Sequence, residues 1–178
     1  MLRAGWSKSI AANKEVHIMA REKLPQNVQS LIGEIGESLV LLRLYLKTHS
    51  LPGKPWEVFS NVGESGYDLL LHNTQTSQRV RIEVKTRQKL YTTGKHTHLV
   101  QFFLTQNERD NSDFLVACLL DDASLFVVPV AELNETHSNG RPRWRFTVSL
   151  DRSGRPNPKA AQYLGTWSRI DPGLEDDM

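Results

Sequence analysis

The sequence predicts one α/β or α+β domain in which helices flank a mixed β-sheet. Two observations support this class: an early segment with helical apolar periodicity, and a later succession of short extended segments separated by turns. The length of 178 residues suits one compact domain with a sizeable core. Repeats with a period of about 20 to 50 residues are absent from the sequence, which excludes solenoids and propellers.

The helix is predicted where apolar residues recur at steps of three and four. One stripe consists of Ile32, Ile35, Leu39, Leu42 and Leu46, and a second stripe consists of Leu41 and Leu44. Two stripes predict a helix that packs on more than one face. The polar run 26–30, which follows Pro25, is predicted to be a loop that caps the helix start. Residues 52–55, with two prolines and a glycine, are predicted to form the turn that ends it.

Extended segments follow in succession. They are predicted at residues 56–62, 66–72, 79–87, 99–104, 114–120, 125–130 and 144–150. The second and third form a hairpin around the polar loop 73–78. Because the segment 114–120 is an almost unbroken apolar run, it predicts a strand that is covered on both faces.

Composition and charge exclude other classes of protein. Hydrophobic residues make up 39% and charged residues 24% of the chain, as in globular proteins and unlike fibrous or disordered ones. The formal net charge is only +2, so contact with a polyanion would depend on local clusters of basic residues. Cys118 is the only cysteine, which excludes an intramolecular disulfide and a Cys-based zinc site of the usual kind. A reducing cytoplasm is the expected compartment.

Secretion and membrane insertion are not expected. Residues 1–14 lack the continuous apolar stretch of a signal peptide. The most apolar segment, 31–46, contains Glu34, Glu37 and Arg43 and is shorter than the roughly 20 residues that span a bilayer.

Two carboxylates are predicted to face each other across the hairpin. A loop centred between residues 75 and 76 places Asp68 opposite Glu83, on the same side of the sheet. Lys85, two residues further on, shares that side. Opposed like charges destabilise a sheet, so the pair needs a counter-ion, and a hard divalent cation is the leading candidate. The alternative is that the charged side of this strand is a solvated face.

A third carboxylate comes from the predicted helix. Glu37 lies on the stripe of Leu41 and Leu44, so it should point toward packed protein, where it needs a donor, a cation or a metal-bound water. Glu34 lies further round the helix. An acidic residue favoured by the helix dipole is the alternative explanation, and it accounts for Glu34 at least as well. We prefer Glu37, and the choice between the two stays open.

The segment 141–170 is locally basic, with seven basic residues and one acid, Asp151. We expect it to contact the phosphates of nucleic acid, while interleaved aromatic residues pack on bases or sugars. The basic candidates are Arg141, Arg143, Arg145, Arg152, Arg155 and Lys159, and the aromatic residues are Trp144, Tyr163 and Trp167. The alternative is a solvated edge whose charge is compensated by the acidic residues in 171–178.

Three short motifs together resemble the PD-(D/E)XK nuclease superfamily, which includes many restriction enzymes, archaeal Holliday-junction resolvases and Mrr-type nucleases. The motifs are Gly36-Glu37 on the helix, Gly66-Tyr67-Asp68 at a strand start and Glu83-Val84-Lys85 in the next strand. Gly-Tyr-Asp stands where the name of the superfamily has Pro-Asp. The resemblance implies a restriction-endonuclease-like core, to which the segment 113–133 would contribute strands.

The resemblance also implies the chemistry. Glu37, Asp68 and Glu83, with Val84 counted among the ligands, would hold Mg²⁺ or Mn²⁺. Lys85 would be the catalytic lysine that positions or activates the attacking water. The catalytic set is therefore Glu37, Asp68, Glu83 and Lys85. Some families of the group use a downstream glutamine, for which Gln88 and Gln106 are both candidates.

The leading hypothesis is a Mg²⁺-dependent DNA endonuclease of restriction, resolvase or repair type. We expect a homodimer, because one active site per subunit handles one strand at a time. The single domain would comprise an N-terminal arm (1–28), a catalytic core (29–135), the basic segment (141–170) and an acidic tail (171–178). One alternative is a non-catalytic nucleic-acid-binding domain that retains the nuclease fold, with Glu83 and Lys85 as a surface ion pair. Another is a protein-interaction domain whose basic segment contacts an acidic partner.

Overall fold

The computed structural model describes residues 24–61, 63, 66–88, 98–151 and 155–177. The helices are α1 (Gln26–Ser50), α2 (Gln106–Asn111) and α3 (Pro158–Ala161), with 3-10 turns at Val130–Glu132 and Trp167–Arg169. The strands are β1 (Trp56–Ser60), β2 (Leu69–Asn73), β3 (Arg79–Arg87), β4 (Leu99–Leu104), β5 (Phe114–Leu119), β6 (Ser124–Pro129), β7 (Asn134–Ser138) and β8 (Arg141–Ser149). Each extended segment predicted from the sequence overlaps one of these strands, although β8 begins three residues before its predicted start. Strand β7 and helices α2 and α3 were not predicted.

The strands form two sheets. A five-stranded sheet has the order β1-β2-β3-β5-β6, and a three-stranded sheet has the order β4-β8-β7. The larger sheet is mixed, because β3 and β5 run parallel while its other neighbours are antiparallel. The predicted α+β class, a mixed central sheet flanked by helices, is confirmed.

Two apolar cores lie on opposite faces of the larger sheet. In the first core, Val40 and Leu44 of α1 pack on Ile82 of β3, and Trp167 of the C-terminal segment closes one side. In the second core, residues of β5 and β6 pack against the three-stranded sheet. Because side chains alternate along a strand, β5 contributes to both cores. Its predicted coverage on both faces is confirmed.

Helix α1 differs from its prediction at the start. It begins at Gln26, within the run that was predicted to be a capping loop and within the segment assigned to the N-terminal arm. No side chain caps this end; the carbonyl of Pro25 accepts hydrogen bonds from the N–H groups of Val28 and Gln29. The loop prediction is wrong because polar residues are compatible with an exposed first helical turn, where the fixed φ of a preceding proline suits helix entry.

The faces of α1 also differ from the prediction. The buried residues are Gly36, Val40, Leu44 and Thr48. Ile35, Leu42 and Leu46 are 47%, 55% and 58% exposed, so the expectation that this stripe packs inside is wrong for these three residues. Leu39 of the same stripe packs against the first core. A helix that lies on a sheet buries one face, and here that face is the line through Gly36 and Leu44. Within the described ranges, none of the helices combines the length and hydropathy needed to cross a bilayer.

The acidic C-terminal residues pack onto the domain. The carboxylate of Asp177 accepts a hydrogen bond of 2.8 Å from the indole N–H of Trp167 and forms an ion pair of 2.9 Å with Lys47 of α1. Asp171 likewise accepts a hydrogen bond from the indole N–H of Trp56. These contacts tie the end of the chain to α1 and β1.

Candidate active site

The hairpin β2–β3 has the register that the sequence predicts. Its last paired residues are Leu69 and Ile82, so Asp68 and Glu83 are the next residues in line on the two strands. The N–H of Asp68 donates to the carbonyl of Ile82 over 2.9 Å, and its Oδ2 accepts from the N–H of Val84 over 2.7 Å. The Asp68 carboxylate is therefore fixed against the backbone of β3.

Alternation along β3 separates its apolar and charged side chains. Val80, Ile82 and Val84 belong to the first core beneath α1. Glu83 and Lys85 point to the other face, where their partners on β5 belong to the second core. Among the described residues, the buried members of that core include none from β3, so the two charged groups lie at its margin.

Lys85 bridges two carboxylates. Its Nζ forms an ion pair with Glu83 and another, of 2.8 Å, with Oε1 of Glu108. Glu108 comes from α2, and its Oε2 accepts a hydrogen bond of 2.6 Å from the N–H of Thr105. The Thr105 hydroxyl accepts in turn from the N–H of Glu108, which completes a capping box.

Glu108 is the residue of this site that sequence reasoning missed. Helix α2 has six residues and buries none of them, so it lacks the apolar periodicity that reveals a helix. The available signal is the Thr105-x-x-Glu108 pattern, which is typical of a helix N-terminus. That pattern predicts the helix but not the contact with Lys85.

The acidic groups of the site are electrostatically coupled. Burial raises the pKa of Glu83 to about 7, with the Lys85 charge opposing the shift and the Asp68 charge adding to it. Burial also raises the pKa of Asp68, although the Val84 N–H and Lys85 oppose that rise. The site therefore holds carboxylates whose charged forms lack full compensation.

Glu37 joins this group from α1. Burial raises its pKa, and the charge of Asp68 raises it further. Glu34 is exposed. Helix α1 approaches β3 closely at Gly36, where a Cβ would overlap the side chain of Thr86. Gly36 therefore sets the position of Glu37 relative to the hairpin.

The donor types fit a hard divalent cation. Carboxylate oxygens are the ligands that Mg²⁺ prefers, and Asp68 interacts electrostatically with the carboxylates of both Glu37 and Glu83. In the described part of the chain, no three His, Cys, Asp or Glu side chains already converge as a metal-binding group. Lys85 supplies the positive charge beside Glu83. The Val84 side chain is buried, and its N–H is bonded to Asp68.

In the described part of the chain, no hydrogen bond joins either candidate glutamine to this group. Gln88 follows β3 and is exposed. Gln106 begins α2 and donates a hydrogen bond of 2.6 Å to Asp110. Neither forms a hydrogen bond with the four predicted catalytic residues.

The structure brings three of the predicted basic residues onto one face. Arg141, Arg143 and Arg145 alternate along β8 with the buried Trp144 and Phe146, so they lie on the outer face of the three-stranded sheet. No acidic side chain in the described ranges forms an ion pair with these three arginines.

The other basic candidates lie elsewhere. Arg155 is exposed and forms an ion pair with Asp151. Lys159 is exposed on α3. Arg152 lies outside the described residues.

The aromatic residues of that segment are structural. Trp144, Tyr163 and Trp167 are all buried, so the expectation that they pack on bases or sugars is wrong. Trp144 and Tyr163 belong to the second core and Trp167 to the first. The guanidinium of Arg109 lies 5.2 Å from the ring centroid of Trp144, which links α2 to β8.

Comparisons with known proteins identify the fold. No protein-family model matches the chain, and no curated protein matches it. Among solved structures, the bacterial homing endonuclease I-Ssp6803I is similar, with a TM-score of 0.52 and 18% identity over 79% of this chain and 91% of that chain. Hjc, a Holliday junction resolvase from Archaeoglobus fulgidus, has a TM-score of 0.50 and 14% identity over 78% of this chain and 93% of that chain. These similarities establish a restriction-endonuclease-like α+β core.

Proposed function

We propose that the protein is a Mg²⁺-dependent DNA endonuclease that hydrolyses phosphodiester bonds. The observation that carries the proposal is that Glu83 forms an ion pair with Lys85 and interacts electrostatically with Asp68, which in turn interacts with Glu37. The fold is shared with a homing endonuclease and a Holliday junction resolvase, which supports nucleic acid as the substrate. Mn²⁺ would serve as an alternative cation.

The residues of the site have distinct roles in this proposal. Glu37, Asp68 and Glu83 would hold Mg²⁺, which supplies Lewis-acid stabilisation of the developing charge when bound. The bond between the Val84 N–H and Asp68 keeps this carboxylate in a fixed orientation. The Lys85 ammonium would donate to a non-bridging phosphate oxygen or orient the attacking water.

The alternative of a non-catalytic domain assigns Glu83 and Lys85 to a surface ion pair. The Glu83 side chain is only 4% exposed and the Lys85 side chain 25% exposed, so the pair is largely buried and is not a fully solvated surface pair. Desolvation makes a buried ion pair a weak source of stability, and neighbouring carboxylates add repulsion. Retention of such a costly group is better explained by catalysis.

DNA contacts belong to the same proposal. Arg143 and Arg145 face outward on β8, and guanidinium groups suit bidentate contacts to phosphate. Cleavage of both strands would require two subunits with one site each, so we propose a homodimer. We place the protein in the cytoplasm because its one cysteine, Cys118, is buried and forms no disulfide.

The test combines three substrates with three metal conditions. Supercoiled plasmid, linear duplex and a four-way junction are incubated with Mg²⁺, Mn²⁺ or EDTA. We expect cleavage with either metal and none in EDTA. Lys85→Ala should lower the cleavage rate at least about a hundredfold while DNA binding in a gel-shift assay is retained. Asp68→Asn and Glu83→Gln should lose metal-dependent cleavage.

The matched control is Lys54→Ala, which removes an exposed lysine in the turn before β1 and should leave cleavage at the wild-type rate. A wild-type rate in Lys85→Ala would contradict the assignment of the catalytic lysine. Binding without cleavage of all three substrates would favour the non-catalytic nucleic-acid-binding domain. Absence of binding at moderate salt would favour a protein-interaction domain.

A further inference from the structure

We infer that Glu108 is a positioning residue that holds the Lys85 ammonium group in the site when a cation engages Glu83. The inference rests on the proposed function and deepens it. It concerns a carboxylate outside the motifs that identified the site.

The geometry gives Lys85 two carboxylate partners with different roles. Glu83 is a proposed metal ligand, so a bound cation would compete with the ammonium group for its oxygens. Among the described residues, Glu108 is the other carboxylate that forms an ion pair with Lys85, over 2.8 Å. When Glu83 turns to the cation, Glu108 remains to keep Lys85 in place.

Glu108 is held independently of Glu83. Its Oε2 accepts a hydrogen bond of 2.6 Å from the N–H of Thr105, which leaves Oε1 directed at Lys85. The side chain is half-buried at the start of α2. Contact between Arg109 and the Trp144 ring anchors this helix to β8. The carboxylate is therefore preorganised to receive the ammonium group.

A purely structural role makes a different prediction. A capping box accepts glutamine as well as glutamate, because the contact to the backbone N–H needs only a side-chain oxygen. The ion pair with Lys85 needs the charge. Glu108→Gln therefore keeps the cap and removes the ion pair. Thr105→Ala does the reverse, because it removes the hydroxyl of the cap and keeps the backbone N–H that holds Glu108.

The first measurement is Mg²⁺ affinity by isothermal titration calorimetry, without DNA. Without Glu108, the ammonium group would pair with Glu83 alone and compete with the cation. We expect Glu108→Gln to weaken Mg²⁺ binding at least about fivefold in the presence of Lys85, and by less than about twofold in a Lys85→Met background. An equal loss of Mg²⁺ affinity with Lys85 and with Lys85→Met would mean that Glu108 acts on the cation only through its own charge. That result would overturn the inference.

The second measurement is the cleavage rate at saturating Mg²⁺. We expect Glu108→Gln to lower kcat about tenfold or more and to change KM for DNA by less than about twofold. Asp110→Asn is the matched charge control, because Asp110 lies on the same helix and pairs with Arg109 and Gln106 instead of Lys85. It should retain the wild-type kcat. Thr105→Ala should lower Tm and retain kcat at temperatures well below its Tm.

The outcomes separate this inference from the proposed function. Wild-type kcat and wild-type Mg²⁺ affinity in Glu108→Gln would overturn the positioning role and leave the nuclease proposal intact. Wild-type protein that neither binds Mg²⁺ nor cleaves DNA would overturn the proposed function and the inference with it.

Discussion

The two halves of the five-stranded sheet are buried differently, and they meet at β3. Strands β5 and β6 are apolar and buried on both faces, because α1 and the C-terminal segment cover one face and the three-stranded sheet covers the other. Strands β1 and β2 contribute buried residues to the first core only. Their outer face carries half-exposed and exposed side chains. In the described part of the chain, one half of the sheet is therefore covered on both faces, and the other half has an exposed outer face.

The candidate site lies where the covering layer ends. At this margin the Glu83 side chain is only 4% exposed, while the adjacent outer face of β1 and β2 carries exposed and half-exposed side chains among the described residues. Low solvation strengthens the interaction of charges that have partners and raises the cost of charges that lack them. The comparison shows that the pKa of Glu83 is raised because its carboxylate is buried at the margin of the second core.

The largest expected difference between the halves is in stability. Phe126 of β6 is 1% exposed, and its ring lies 5.7 Å from that of Phe146. Phe126→Ala should lower the free energy of unfolding by about 3 to 5 kcal/mol. Phe59 of β1 is 47% exposed, so Phe59→Ala should cost less than about 1 kcal/mol. Urea unfolding followed by circular dichroism measures both.

The two phenylalanine variants control for each other, since the same atoms are removed from each half. A loss for Phe59→Ala as large as for Phe126→Ala would show that another layer covers the outer face of β1. The outer face of β1 and β2 would then be buried, and the contrast between the two halves of the sheet would be lost.

The hairpin could be predicted from sequence because its information is local. Alternation along β3 and the polar loop before it determine which residues of the two strands are neighbours, and Asp68 and Glu83 follow. The choice of the buried face of α1 could not be predicted. The longer apolar stripe is largely exposed, and the buried line runs instead through Gly36, where α1 approaches Thr86 closely, and Leu44. Residue type alone does not determine such a contact.

The site was predictable only in part for a similar reason. Glu108 reaches Lys85 from a short polar helix, and no sequence period connects the two. Trp144 and Tyr163 looked available for stacking because basic residues surround them, whereas a second sheet and α3 give them a core to fill. Long-range packing decides these roles, and sequence spacing does not report it.

Gly36 tests how closely α1 must lie on the site half of the sheet. A Cβ at this position would overlap Thr86, so the helix must lift or Thr86 must move. Gly36→Ala should lower the free energy of unfolding by about 1 to 3 kcal/mol. It should also weaken Mg²⁺ binding, because Glu37 moves with the helix. Urea unfolding and calorimetry measure the two effects.

Gly33 provides the control on the same helix. A Cβ there meets nothing within 4 Å, so Gly33→Ala should stabilise the protein by about 0.5 to 1 kcal/mol through helix propensity. Adding Thr86→Ala to the Gly36→Ala variant should recover part of the loss. Wild-type stability in Gly36→Ala would refute the close contact between α1 and β3.

The smallest expected effect is a gain in the free energy of unfolding when Glu83 is replaced. It is measured in EDTA, so that no divalent cation is bound. Burial raises the pKa of this carboxyl from its ordinary value of 4.5 to about 7, so between these values the native state binds a proton that the unfolded state has lost. Stability therefore falls as pH rises through this window. Glu83→Gln avoids the cost of burying a charged carboxylate. The variant should be more stable than wild type by about 1 to 2 kcal/mol at pH 8. The gain should disappear near pH 4.5, as measured by urea unfolding.

Glu175→Gln, which changes an exposed glutamate near the C-terminus, is the control and should alter stability by less than about 0.5 kcal/mol at either pH.

Mg²⁺ should stabilise wild type at pH 8 and not Glu83→Gln, because a cation that binds the native state lowers its free energy. If Glu83→Gln is instead less stable than wild type at pH 8, the ion pair with Lys85 outweighs the cost of burial. The margin of the sheet would then be a structural ion-pair network, and the non-catalytic alternative would gain over the nuclease.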